Sequence, residues 1–72
     1  MQKQDNNIQE QVLCALEESR RPVTVFLMNG YQLKGYIAGH DTFVVLLVTD
    51  GKQQMIYKHA ISTYTPEKPV EL

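Results

Sequence analysis

Lys58 and His59 are adjacent residues that could bind an anionic ligand, and they lie between two runs of β-type residues. The runs cover residues 53–57 and 61–65, so only about three residues join them and the connection must be a very tight turn. Such a turn pushes side chains outward. Lys58 would then offer ammonium donors, and His59 a flat ring that stacks or shares a proton near neutral pH. A solvated hairpin tip is the alternative interpretation.

The elements that must position this pair are one helix and five short antiparallel strands. Residues at helical spacing predict an amphipathic helix over residues 8–19; they are Ile8, Val12, Ala15 and Leu16, with Leu13 at the margin of the stripe. Pro22 ends the helix, and the pattern then changes to period two. Turn signals at Asn29-Gly30, His40 to Thr42 and Asp50-Gly51 divide the remainder into strands over about 23–29, 31–39, 43–49, 53–57 and 61–65.

Gly35 interrupts the second strand. A glycine inside a strand costs stability unless a sharp bend or a close backbone approach requires it, so we expect a strongly bent strand there. The apolar run from Phe43 to Val48 is typical of a strand covered on both faces. The fold class is therefore mainly β with one N-terminal helix, and five bent antiparallel strands can curl into a small open barrel whose edges remain free to pair with neighbours.

A chain of 72 residues forms one domain with a small core, so something must supplement that core. The single cysteine, Cys14, cannot form an internal disulfide, and with two histidines it gives no zinc spacing. We therefore expect oligomerisation, without metal or cofactor. Residues 1–7 are predicted to be a disordered tail and residues 67–72 a loose one.

The net charge of −1 argues against a protein that coats nucleic acid through bulk charge. Binding to RNA would have to come from local placement, and in a ring every copy of Lys58 and His59 could converge on one axis. The lone thiol suits a reducing compartment, and the longest apolar run is far shorter than the roughly 18 residues of a membrane span. A cytoplasmic location without membrane contact is the expectation.

Two blocks of the sequence resemble the Sm motifs of the bacterial Hfq family. Residues 57–63, Tyr-Lys-His-Ala-Ile-Ser-Thr, resemble the second motif, in which the Lys-His pair is a family signature. Residues 25–35, followed by 40–47, resemble the first motif. The resemblance runs from about Ile8 to Pro66 and is closer to the Gram-positive type. It implies an Sm-like domain over residues 8–66, assembled as a ring of six identical subunits.

One group of candidate site residues surrounds the Lys58-His59 turn. Phe43 could stay exposed and stack a base, and Gln9 could hydrogen-bond a base edge; alternatively, Phe43 is core and Gln9 is merely solvated. In Hfq proteins the matching positions form the proximal, uridine-binding pore site, which implies a site made by Gln9, Thr42, Phe43, Lys58 and His59. Thr42 stands where enterobacterial members carry glutamine.

A second group lies on the opposite face. Two aromatics, a glycine that admits close approach and an amide could make adenine-sized pockets between subunits, whereas ordinary strand packing is the alternative. In Hfq proteins the matching positions form the distal site for purine-rich or A-rich tracts, which implies a site made by Phe26, Gly30, Tyr31, Leu33, Gln54 and Thr63. Tyr31, where some members have an aliphatic residue, looks closer to the Gram-positive type.

A third candidate surface is the outer rim of the helix. Hfq proteins active in annealing carry an arginine-rich patch there, but this chain has Glu17 and Glu18 at matching positions, followed by Arg20 and Arg21. Acidic residues repel phosphate, so we expect weak strand annealing even if the two arginines keep part of the function.

Three classes of function compete. The resemblance implies an RNA chaperone that serves post-transcriptional regulation by small RNAs and stress responses, with no bond chemistry. An enzyme would have to use His59 and Ser62, for which the sequence offers no orienting acid or oxyanion loop. A structural Sm-like module with little RNA affinity is the third class. Asp41 is expected to fix a turn rather than to act as an acid. His40 departs from the usual aromatic and is expected to be structural, with a titrating role as the alternative.

Overall fold

The computed structural model describes residues 7–72, which form one helix and five strands. They are α1 (Ile8–Ser19), β1 (Val23–Leu27), β2 (Gln32–His40), β3 (Val44–Thr49), β4 (Lys52–Tyr57) and β5 (Ile61–Pro66). All neighbouring strands are antiparallel, and their order across the sheet is β4-β3-β2-β1-β5. The predicted fold class, an N-terminal helix followed by a five-stranded antiparallel sheet, is confirmed.

Helix α1 packs on the sheet through a face that differs from the predicted stripe. Leu13 and Leu16 are completely buried, whereas Ile8 is 66% exposed. At about 100° per residue, Ile8 lies about 110° from the midpoint between Leu13 and Leu16, so all three cannot face the sheet. Asn7 closes the predicted tail and is also, with Asn6, a plausible cap from the sequence; it caps the helix by accepting a hydrogen bond from the backbone N–H of Glu10 (3.2 Å). The remainder of the predicted tail, residues 1–6, lies outside the described residues.

Strand β2 changes partners at Gly35. Its first part, up to Gly35 opposite Val23, pairs with β1, and its second part, from Tyr36 opposite Val48, pairs with β3. A Cβ atom at Gly35 would overlap the carbonyl oxygen of Val48 and lie 2.8 Å from its carbonyl carbon. Glycine is therefore required for the close backbone approach at which the sheet bends.

The strands β4 and β5 lie at opposite edges of the sheet, although only the short 3₁₀ turn Lys58–Ala60 separates them in sequence. The sheet must curl until its two edges meet at this corner, which gives a small open barrel. The turn is held from both sides, because the Lys58 N–H donates to the carbonyl of Phe43 and the Met28 N–H donates to that of Ala60, both at 2.8 Å. The alternative interpretation of this segment as a hairpin tip is wrong, since β4 and β5 do not pair.

The core lies between α1 and the concave side of the sheet. It consists of Leu13, Leu16, Val23, Val25, Ile37, Val45, Leu47 and Ile56. Within one chain β3 is covered on one face only, because Val45 and Leu47 are buried whereas Val44 and Leu46 are half-buried. The expected cover on both faces would have to come from another chain.

All five strands differ from their predicted extents by one or two residues, and the C-terminal segment differs in its packing. Strand β1 ends at Leu27 because Gly30 donates to the Leu27 carbonyl (2.9 Å) and closes a turn there. Strand β3 begins at Val44, since the N–H of Phe43 bonds to the side chain of Asp41 (2.8 Å). Residues 67–72, expected to be loose, have no regular structure, yet Val70 packs against the core.

The close approach at Gly35 predicts a specific loss of stability. We expect Gly35→Ala to lower the free energy of unfolding by about 1–3 kcal/mol, because the added methyl group must displace the β3 backbone. Gly39→Ala is the matched control, since a Cβ atom there meets nothing within 4 Å. Urea denaturation of both variants tests this, and equal stabilities would contradict the proposed bend.

Candidate functional site

The 3₁₀ turn brings two predicted site residues next to each other. Phe43 is 71% exposed, and its carbonyl accepts the Lys58 N–H. Phe43 is thus not a core residue, so that alternative is wrong. Thr42 precedes it and is also exposed, and exposed His59 stacks on Tyr57 with ring centroids 5.6 Å apart and an interplanar angle of 15°. This corner presents flat rings that could stack on further rings.

The side chain of Lys58 does not point outward as the sequence predicted. It is 10% exposed and forms an ion pair with the carboxylate of Glu10. The reason is tertiary: the first turn of α1 lies beside the 3₁₀ turn and presents Glu10 to the ammonium group. An anionic ligand would have to share Lys58 with Glu10.

Gln9 is half-buried and is held by the sheet. Its side-chain carbonyl oxygen accepts a hydrogen bond from the Tyr64 hydroxyl (3.1 Å). Burial, and to a lesser extent the charge of Glu10, raise the pKa of Tyr64 to about 12, so the hydroxyl remains a donor at neutral pH. The bond fixes the amide orientation of Gln9 and leaves the NH₂ group as the donor for a ligand.

His40 connects the helix to the sheet through two acidic residues. Its Nδ1 atom lies 2.9 Å from Glu17 Oε1, and its Nε2 atom lies 3.3 Å from Glu10 Oε1 and 3.9 Å from Cys14 Sγ. Sequence reasoning missed this cluster. The available signal was that Glu10, Cys14 and Glu17 follow each other at steps of four and three and so share one helix face.

Asp41 fixes the turn before β3, as predicted. Its Oδ1 atom accepts hydrogen bonds from the backbone N–H groups of Phe43 (2.8 Å) and Val44 (2.9 Å). These bonds, first that of Val44 and then that of Phe43, hold the pKa of Asp41 below its ordinary value of 3.8. Asp41 therefore positions the exposed ring of Phe43.

Most residues of the predicted distal group lie together around β1. Phe26 is directly opposite Thr63 of β5, and Leu33 of β2 is opposite Val25. The turn that follows β1 carries exposed Gly30, with a φ of 93°, and leads to exposed Tyr31. Tyr31 is thus exposed, and Phe26 is half-buried.

Gln54 is the member of the distal group that the chain does not bring to the others. It lies on β4 opposite Leu47, at the far edge of the sheet from Thr63. Strands β3, β2 and β1 separate the two residues within one chain.

The outer face of α1 is less acidic than its sequence indicates. Glu17 is engaged by His40, which leaves Glu18 exposed. Arg20 adopts a left-handed conformation at the helix end, with a φ of 54°, and places its guanidinium 5.3 Å from the centre of the Tyr36 ring. Arg21 is exposed beside a shallow cavity that it shares with Glu18 and Val70.

Two negative findings apply to residues 7–72. Within this range no three His, Cys, Asp or Glu residues are arranged to hold a metal ion. In the same part of the chain, no helix is both long and apolar enough for a membrane span.

A short helix followed by a strongly bent, five-stranded antiparallel sheet is the Sm-like fold. The family model described as Hfq protein matches residues 8–71, and the chain belongs to the Hfq family. It is 63% identical to the RNA-binding protein Hfq of Geobacillus sp. (strain WCH70), over 94% of this chain and 92% of the relative. It is 58% identical to the protein of the same name from Bacillus velezensis, over 92% and 90% respectively. These relatives confirm the predicted closeness to Gram-positive members.

A solved structure gives the same result for the fold. The chain resembles the 1.55 Å crystal structure of the pleiotropic translational regulator Hfq, with a TM-score of 0.80 and 52% sequence identity. The match covers 82% of this chain and 98% of that one.

The hydrogen bonds of Asp41 predict a pH-dependent stability. Because the folded pKa is lowered, the stabilisation is fully present above the unfolded value of 3.8 and is lost as the pH falls through the folded value. We expect Asp41→Ala to melt at a lower temperature than the wild type at pH 7, and this difference to narrow below pH 3.8. Asp41→Asn keeps an acceptor oxygen and is the control. Identical melting of Asp41→Ala and wild type at pH 7 would refute the capping role.

Proposed function

We propose that this chain is an RNA-binding protein that acts as a ring of six identical subunits. Uridine-rich RNA binds at the proximal face, around the 3₁₀ turn, and purine-rich or A-rich RNA binds at the distal face, around Tyr31. Relatives named RNA-binding protein Hfq support the general function. The observation that carries the proximal assignment is the exposed ring of Phe43 beside the Lys58-His59 turn.

The ring follows from the free edges of the sheet. Pairing β4 of one subunit with β5 of the next would satisfy the backbone groups of both edges and close the assembly. Exposed Met55 and Tyr57 on β4 would be covered in the process. The same pairing would bring Gln54 of one subunit towards Thr63 of its neighbour and complete the distal group.

At the proximal face the subunit supplies one stacking ring, one amide and one cation. Stacking of a base on an aromatic side chain contributes about 1–3 kcal/mol and tolerates many sequences. Gln9 offers its NH₂ group to a uracil carbonyl, while Thr42 and His59 border the site. Because the chain has a net charge of −1, affinity depends on repeating this set around an axis.

At the distal face, Tyr31 and Phe26 supply flat surfaces and Gln54 an amide that can read an adenine edge. Gly30 admits close approach of a base to the backbone, and Leu33 and Thr63 line the neighbouring strands. The pockets lie between subunits, so one RNA strand would contact several copies in turn.

The mechanism is binding and raised local concentration, not bond chemistry. A ring with two faces can hold a small RNA and a messenger RNA at once and so act in post-transcriptional regulation. The lone thiol of Cys14 suits a reducing compartment such as the cytoplasm.

A second candidate function is an Sm-like assembly module with little affinity for RNA. The observation that favours it is the ion pair between Lys58 and Glu10, which occupies the cation that the proximal site needs. Binding of short oligo-U and oligo-A separates the two functions, since a module of this kind would bind neither.

The two-face arrangement predicts opposite effects of two substitutions. We expect Lys58→Ala to weaken oligo-U binding about tenfold, or roughly 1.4 kcal/mol, and to spare oligo-A. Tyr31→Ala should weaken oligo-A binding by about 1–3 kcal/mol through lost stacking and spare oligo-U. Fluorescence anisotropy with labelled oligonucleotides measures both, and each variant serves as the control for the other.

Native mass spectrometry must accompany these measurements. If either variant lost both activities while the mass of the ring was unchanged, the two faces would not be independent. A monomeric mass for the wild-type protein at working concentration would rule out the pore.

The acidic rim predicts slow annealing of complementary RNAs. We expect the rate to be several-fold lower than that of a family member with an arginine-rich rim, because Glu18 repels phosphate near Arg20 and Arg21. Glu18→Arg should raise the rate without disturbing the His40 cluster, of which Glu18 is not part. Equal rates for the two wild-type proteins would contradict the expectation.

A further inference from the structure

Four side chains, alternately acidic and basic, connect helix α1 to the turn that carries Lys58. In order they are Glu17, His40, Glu10 and Lys58, with successive contacts of 2.9 Å, 3.3 Å and a direct ion pair. The two basic members are the most buried, because the side chains of His40 and Lys58 are 9% and 10% exposed. The carboxylate of Glu10 is shared, since Oε2 faces Lys58 and Oε1 faces His40.

Both ring nitrogens of His40 lie close to carboxylate oxygens of helix α1. Nδ1 is within hydrogen-bond distance of Glu17, Nε2 is within ion-pair distance of Glu10, and only the imidazolium carries a proton on both nitrogens. In that state the four side chains carry two positive and two negative charges and balance. With a neutral ring the group has one net negative charge, and Nε2 turns a lone pair toward Glu10 or accepts from the nearby thiol of Cys14.

Further charged groups surround His40 on each packed element. Helix α1 contributes Glu10, Glu17 and the thiol of Cys14, and the turn after β2 contributes Asp41. Lys58 acts through Glu10 and opposes the positive charge on the ring. Among residues 7–72, the carboxylates of Glu10, Glu17 and Asp41 thus outnumber Lys58 as a neighbouring cation.

We propose that Glu10 and His40 are positioning residues of the proximal RNA site, and that protonation of His40 loosens the hold of Glu10 on Lys58. When His40 is neutral, Glu10 is fully available to Lys58 and competes with RNA. When His40 is charged, Glu10 is divided between two cations, and Lys58 has more capacity to bind RNA. Uridine-rich RNA therefore binds more tightly at lower pH. The proposal rests on the proposed function of this face.

The size of the effect follows from Coulomb's law. One added positive charge about 6 Å from an anion in water changes the binding constant of that anion about threefold. The change applies at every subunit that a uridine contacts. The distal face lies around Tyr31 and is not part of the cluster, so A-rich RNA should not respond in this way.

The test compares wild type with His40→Phe between pH 6 and pH 8 at constant ionic strength, using labelled oligo-U and oligo-A. We expect the oligo-U affinity of wild type to rise at least about threefold more on acidification than that of His40→Phe. Both proteins retain His59, so the contribution of this side chain is common to the two profiles. The oligo-A profiles should be the same.

A second variant protects the test against a folding defect in His40→Phe. Glu10→Gln keeps the shape of the side chain but removes its charge, so oligo-U binding at pH 8 should tighten and its pH dependence should flatten. Melting temperature and native mass confirm that each variant is folded and assembled.

Two results would overturn the proposal: coincident pH profiles for wild type and His40→Phe, or weaker oligo-U binding by Glu10→Gln at pH 8. If the wild type binds oligo-U and neither variant changes the pH dependence of its affinity, the proposed role of His40 and Glu10 fails but the proposed function stands. If wild type binds neither oligonucleotide at any pH, the proposed function fails with it.

Discussion

The constraint on which this structure depends is the three-residue connection between two strands at opposite edges of one sheet. In a flat sheet with this strand order, three strands would lie between β4 and β5, and Lys58–Ala60 could not span that distance. The sheet must curl, and Gly35 permits the bend because no side chain fits beneath the carbonyl of Val48. The curl then places Phe43, Lys58 and His59 at one corner, so the barrel and the candidate site have the same cause.

Polar and charged side chains also hold helix α1 on the sheet. Leu13 and Leu16 supply the apolar contact, but they do not fix the helix along its own axis. Glu10 and Glu17 do so, because Glu10 forms an ion pair with Lys58 and Glu17 shares a hydrogen bond with His40. The helix thus supports the 3₁₀ turn, and two of its acidic residues contact the sheet side rather than lying only on the outer rim.

Local signals in the sequence were sufficient for much of this fold. Asn29-Gly30 and Asp41 marked turns because their side-chain or backbone preferences act within a few residues, and Gly35 marked the bend for the same reason. What could not be predicted depends on contacts between distant segments. The inward direction of Lys58, the exposure of Ile8 and the packing of Val70 are set by which surfaces meet after the chain has curled. The separation of Gln54 from Thr63 is likewise a property of strand order.

The thiol of Cys14 has a practical bearing on how this protein can be studied. As the only cysteine in the chain it invites attachment of a maleimide dye or spin label, and its exposure makes the reaction easy. The Cys14 sulfur lies 3.9 Å from Nε2 of His40. A label on this sulfur would therefore displace His40 and disturb its contacts with Glu10 and Glu17. A label attached to Cys14 would in this way disturb the contacts between helix α1 and the 3₁₀ turn. A cysteine introduced at exposed Ser19, in a variant that also carries Cys14→Ser, offers a safer attachment point.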